Sequence, residues 1–207
     1  MSAESPKKPA AFKVTYATLS ADNAELHARL DAGIAKVRGE LGRTSPLFIG
    51  GNERATSSTT ESRNPADTDE VVARAASATL EDVKDAIAAA KAAWPAWRQL
   101  PWERRCDIVE RAAAIIREDS AELTAWLILE NGKNRTEALG EIEETADLYD
   151  YYVQQMREHG GFVREMGKLS PADTNTSVLR PYGVWAVVAP WNFPYALFGA
   201  PIAAALV

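Results

Sequence analysis

The sequence predicts an α/β fold in which strands come first, a block of helices follows, and strands return before a last helix. Three observations carry that reading. Apolar residues recur at helical spacing from Thr79 to His159, with Asn and Gly at the breaks. Short pieces of strand character flank this block, LFIGGNER before it and GFVREM and TSVLRPYG after it. From Val184 to Val207 there is no charged side chain, yet Pro190, Asn192 and Pro194 stand inside that run.

The elements follow in order. Residues 1 to about 20 read as a loose arm, since MSAESPKKPA is polar and holds no apolar signal-peptide core. Leu26, Leu30, Ile34, Val37 and Leu41 then mark an amphipathic helix. LFIGGNER, Leu47 to Arg54, predicts a hairpin turning at Gly50-Gly51-Asn52. The segment up to Thr79 continues in extended pieces, with a turn at Asn64-Pro65. Thr79 is the expected N-cap of the next helix, with Asp82 in capping-box position. Val83, Ile87, Ala90 and Trp94 mark one face of it, and Pro95 is expected to end it. Pro101 should open a second helix, with Ile108, Ala112 and Ile115 inward. A third starts near Ser120, turns Leu123, Trp126 and Leu127 inward, and stops at Asn131-Gly132. A fourth runs from about Thr136 to His159 and stops at Gly160-Gly161.

Composition bounds the function. The 207 residues suffice for one large domain or two small ones, and a hydrophobic share of 46% can build a core. A formal charge of −6 gives no electrostatic reason to expect nucleic acid. The short basic pairs Lys7-Lys8 and Arg104-Arg105 read as solvated surface. Cys106 stands alone, which excludes an intramolecular disulfide and suits a reducing, cytoplasmic setting.

The apolar run admits two readings. As a membrane anchor it is long enough to cross a bilayer. Pro190, Pro194 and Pro201 argue against that, because each proline costs about 3 kcal/mol in an ordinary helix interior. The other reading divides the run into a buried strand from Val184 to Ala189, a rigid PWNFP turn, and a buried helix from Ala196 to Val207. A strand, a tight turn and a helix start form the crevice where α/β proteins bind ligands. At that turn the Asn192 amide could donate to a developing negative charge, or it could merely cap the helix.

RPYGVWAVVAPWNFP resembles the signature of the aldehyde dehydrogenase superfamily. ILENGKNRTEA, Ile128 to Ala138, resembles that family's Glu-x-Gly-Lys segment, and ETADLYDYYVQQM resembles the helix after it. The Tyr-Tyr-x-x-x-Met ending and the long N-terminal helix are most similar to the 1-pyrroline-5-carboxylate (L-glutamate γ-semialdehyde) dehydrogenases. The resemblance covers residues 47 to 207 well and the first 45 only loosely. It implies the N-terminal part of that fold, a Rossmann-like cofactor domain plus a small oligomerisation sheet.

It also implies a chemistry, the oxidation of an aldehyde to a carboxylate. A cysteine thiolate attacks the carbonyl, NAD or NADP takes the hydride, and a glutamate activates the water that hydrolyses the thioester. On this resemblance Asn192 matches the oxyanion-hole amide. Val188, Ala189, Pro190 and Trp191 match the cofactor-contacting stretch, largely through backbone. Phe193 and Leu197 match the aldehyde tunnel. Glu144 matches a helix carboxylate near the substrate amino group, and it shares one face with Leu148 and Tyr152; a solvated helix carboxylate explains it equally.

The family's nucleophilic cysteine, general-base glutamate and ribose-site lysine all lie beyond the PWNFP block. Cys106, set on a helix among Arg104, Arg105 and Asp107, is not expected to replace the nucleophile, and neither His27 nor His159 offers it a partner. The expected divisions are an arm and helix over 1–45, the helical and strand part of a cofactor domain over 46–161, an oligomerisation hairpin over 162–181, and the start of the Rossmann-like core over 182–207. The chain breaks off within an apolar helix, so it is expected to be a shortened enzyme, inactive alone, that acts on a small aldehyde and forms homo-oligomers when complete. The alternatives are a non-catalytic short relative that binds a partner, and a membrane-anchored protein using residues 184–207.

Overall fold

The structure is a computed structural model that describes residues 23–207. The arm expected over residues 1 to about 20 lies outside the described residues. The chain opens on α1 (Ala24–Arg38), capped by the Asn23 side chain on the Leu26 amide. Leu26, Leu30 and Val37 face inward from it, and Leu41 lies past its end. Five strands follow: β1 (Arg43–Ser45), β2 (Leu47–Ile49), β3 (Asn52–Arg54), β4 (Thr59–Asn64) and β5 (Asp67–Ala76). β2 and β3 form the expected hairpin, with Gly50 and Gly51 at positive φ in its turn. β4 and β5 pair antiparallel around Pro65-Ala66, and β1 lies parallel to β5, Arg43 opposite Ala73, so that β5 is the middle strand.

The helices are α2 (Leu80–Gln99), α3 (Trp102–Glu118), α4 (Ser120–Asn131) and α5 (Arg135–Glu158). Thr79 and Asp82 close the predicted capping box at the start of α2. Pro95 does not end α2, which runs on to Gln99. A proline withdraws one donor and keeps a helical φ, so good helix formers on either side carry the helix past it. Gly132 ends α4 in the left-handed conformation, φ 76°.

The inward face of α3 also differs from expectation. Cys106, Val109 and Ala113 are buried, whereas Ile108 and Ile115 are 48% and 43% exposed. The helix carries more apolar positions than its neighbours cover, and α5 meets it along the stripe that includes Cys106 and Val109. α1, α4 and α5 form the centre. Leu26 and Leu30 meet Leu139; Val37 meets Val72, Ala125 and Leu129; Leu127 meets Ala138 and Ile142.

After α5 a short 3₁₀ turn (Gly160–Phe162) leads into β6 (Val163–Glu165) and β7 (Thr176–Val178), an exposed antiparallel hairpin with Val163 opposite Val178. The last element is α6 (Ala196–Leu206), laid against α5 and α3. Gly199 makes that approach possible, since a Cβ there would lie 2.6 Å from Thr145 Cγ2. Between β7 and α6 no strand forms. Residues 184–189, expected as a buried strand, belong to no helix or strand, and most of their apolar side chains are exposed. A strand needs neighbours for its backbone groups, and no described strand lies beside this one.

Candidate active site

The PWNFP corner is built where the chain leaves that open stretch and enters α6. Trp191 to Tyr195 form consecutive turns, and the Phe193 carbonyl accepts the Leu197 amide 3.2 Å away. The run from Val184 to Val207 is therefore not one helix. α6 has 11 residues, about 16 Å at 1.5 Å per residue, against a hydrocarbon core of about 30 Å. Among the described residues no helix is long and apolar enough to cross a membrane.

What holds the corner comes from the turn between α4 and α5. Asn131 donates its side-chain amide to the Trp191 carbonyl at 2.7 Å. The Lys133 ammonium sits 3.7 Å above the Phe193 ring and bonds Glu141 Oε2 at 2.5 Å. Glu141 Oε1 accepts the backbone amides of Tyr195 at 2.8 Å and Ala196 at 3.3 Å. Glu141 is wholly buried, 0% exposed, on the second turn of α5. No side chain of its own caps α6, so this carboxylate supplies the cap from another helix. A charge so deep needs both an ion partner and hydrogen bonds, and Glu141 has both.

Asn192 itself is exposed and lies between these fixed points. It does not cap α6, whose N-cap is Tyr195. Phe193 is half-buried beneath Lys133, and Leu197 is exposed on the first turn of α6. Val188 and Trp191 are 89% and 83% exposed, with Ala189 and Pro190 half-buried between them. A dinucleotide contacted through main chain needs an open stretch of this kind, so the residues present fit NAD or NADP read in that way. The Tyr195 hydroxyl is pushed up to about 12, first by burial and then by the nearby Glu130 and Glu141.

Glu144 is exposed one turn along α5 from Glu141, with Leu148 and Tyr152 half-buried on its face. Glu141 is the α5 carboxylate that the structure brings to the corner, and the sequence pattern that marks Glu144 does not mark it. The available signal was a carboxylate within the arc of Ala138, Ile142 and Thr145, all buried. Lys133, within the Glu-x-Gly-Lys segment, and Asn131, at the helix stop, carry no spacing signal for their contacts to the corner. Cys106 is buried among Val109, Val153, Met156 and Ala203, and burial raises its thiol pKa. It is no accessible nucleophile. Among the described residues no group of side chains is arranged to hold a metal ion.

Comparison with known proteins gives the chain its relatives. The profile of the aldehyde dehydrogenase family matches residues 52–207. A 1-pyrroline-5-carboxylate dehydrogenase of Geobacillus thermodenitrificans (strain NG80-2) is 39% identical over 176 residues, 85% of this chain and 34% of that protein. One from Staphylococcus saprophyticus is 37% identical over 164 residues, 79% of this chain and 32% of that protein. Among solved structures, 1-pyrroline-5-carboxylate dehydrogenase from Thermus with bound NAD superposes with a TM-score of 0.83 at 33% identity, covering 89% of this chain and 36% of that one. Proline utilization A from Bdellovibrio bacteriovorus gives a TM-score of 0.86 at 30% identity, covering 96% of this chain and 20% of that one. The chain thus spans about a third of the length of the curated relatives it matches. The family model covers most of the chain, the open stretch from Val184 to Pro190 and the braced corner included, and the chain belongs to the aldehyde dehydrogenase family.

Proposed function

We propose that this chain supplies the oxyanion-binding corner of an NAD(P)-dependent aldehyde dehydrogenase that oxidises L-glutamate γ-semialdehyde to glutamate. The observation that carries the reading is the exposed Asn192 amide, set on a corner whose neighbours are fixed at Trp191, Phe193 and Tyr195. A donor held in advance costs no reorganisation when the aldehyde oxygen gains charge. The nucleophile is a cysteine beyond this chain, because Cys106 is buried and its thiolate disfavoured. Main chain from Val188 to Trp191 orients the cofactor, which accepts the hydride when bound. Phe193 and Leu197 line the aldehyde's approach. The exposed Glu144 carboxylate meets the substrate's ammonium group.

Relatives named for 1-pyrroline-5-carboxylate support the substrate, and a Thermus relative with bound NAD supports the cofactor. The exposed β6–β7 hairpin serves assembly with further copies, and the reaction takes place in the cytoplasm. The test is a chimera in which this chain replaces the matching third of the Geobacillus relative. It should reduce NAD(P)+ with glutamate γ-semialdehyde, read at 340 nm. Asn192→Ala should lower kcat by roughly 10²–10³, the loss expected for one oxyanion donor. An active chimera whose kcat is unmoved by that change would remove the role of Asn192; a folded chimera without turnover would favour a non-catalytic relative.

A further inference from the structure

We propose that Glu141 and Lys133 are positioning residues that set the direction of the Asn192 amide. The inference rests on the oxyanion reading of Asn192 and adds the groups that act through it. Among the described residues the polar ties of the corner to the body of the protein run to the segment between Asn131 and Glu141: Trp191 through Asn131, Phe193 through Lys133, Tyr195 and Ala196 through Glu141, while the Tyr195 ring packs on the cluster of Leu127, Ala138 and Ile142. Asn192 lies in the middle of these ties, and its own amide makes no hydrogen bond among the described residues. The amide is therefore placed without being consumed.

The choice of groups points the same way. A helix start is satisfied most simply by Ser, Thr, Asp or Asn at its own N-cap. Here the N-cap is Tyr195, and a buried carboxylate on α5 takes the two amides instead. A local cap fixes a helix end to itself, whereas a cap from α5 fixes the start of α6 to the body of the protein. Buried ion pairs are poor sources of stability compared with well-packed apolar groups, and registry is their best-attested use. The Lys133 ammonium joins both halves of the device, since it neutralises Glu141 and sits on the ring of the residue after Asn192.

The test is hydrogen exchange by mass spectrometry on the 207-residue chain, comparing the peptide 191–197 with the peptide 24–38 of α1 as an internal control. Glu141→Ala should speed exchange of 191–197 by about tenfold or more, as loss of hydrogen bonds to a charged group implies, and leave 24–38 unchanged. Glu141→Gln keeps an acceptor and should stay closer to the parent. Lys133→Met, which keeps an apolar stem, should loosen the same peptide. In the chimera, Glu141→Ala should lower kcat while KM for the aldehyde stays within about twofold, the signature of an interaction realised in the transition state, and Glu141→Gln should recover part of that kcat. Unchanged exchange in Glu141→Ala and Lys133→Met would overturn the proposal, as would equal loss of protection in both peptides. A parallel fall in kcat/KM through KM alone would overturn it too. Asn192→Ala separates the two readings: it should leave exchange at the parent level, so a kcat insensitive to it removes the oxyanion role while the exchange result still decides the bracing.

Discussion

Arg54 reaches from β3 to the start of α2, bonding Asp82 at 2.8 Å and Asp85 at 2.7 Å. That guanidinium, followed by the Thr79 hydroxyl and amide, holds the Asp82 carboxyl down at about 2 from an ordinary 3.8. The folded value lies below the unfolded one, so the contribution is complete above 3.8 and is lost as pH falls through about 2. Urea midpoints followed by circular dichroism should therefore drop between roughly pH 4 and pH 2, and Arg54→Ala should flatten that part of the profile. At the same scale the sequence disclosed Asn192 and the residues around it, because two prolines and an amide in an apolar run demand a reason. It hid Glu141. Five carboxylates lie from Glu137 to Asp147, and two of them, Glu141 and Glu143, are buried, because the elements packed against α5, not the spacing, decide which of them loses its water.

Helix boundaries were legible where a local group sets them: Thr79 with Asp82, and Gly132 at positive φ. What depends on a partner was not. Pro95 lies inside α2, the α3 stripe is rotated, and residues 184–189 remain without strand neighbours, because pairing and burial are properties of two elements. The crossing of α1 and α4 gives a test. A Cβ on Gly33 would stand 2.5 Å from the Ala121 carbonyl oxygen, a backbone atom that cannot rotate away. Gly33→Ala gains about 1 kcal/mol of helix propensity but incurs overpacking of about 1–3 kcal/mol. The urea midpoint should fall. A rise would mean that the two helices part without strain.

Across the whole molecule the polar surface is unevenly spread. Tyr182, Trp185, Val188, Trp191, Leu197 and Phe198 are exposed together along the stretch into α6. Monomeric proteins rarely leave so continuous an apolar surface open. Sedimentation velocity of the isolated chain should show concentration-dependent association, and Val188→Lys with Trp191→Lys should reduce it. Sedimentation of the parent as a monomer at high concentration would contradict this.

The lone thiol of Cys106, shut between α3 and α5, turns the protein into its own timekeeper. No thiol reagent can reach it while those helices stay docked, so each labelling event marks one parting of the pair. With reagent in excess and pH varied, the labelling rate counts how often the molecule breathes at that seam. Neither an added probe nor a second cysteine is needed.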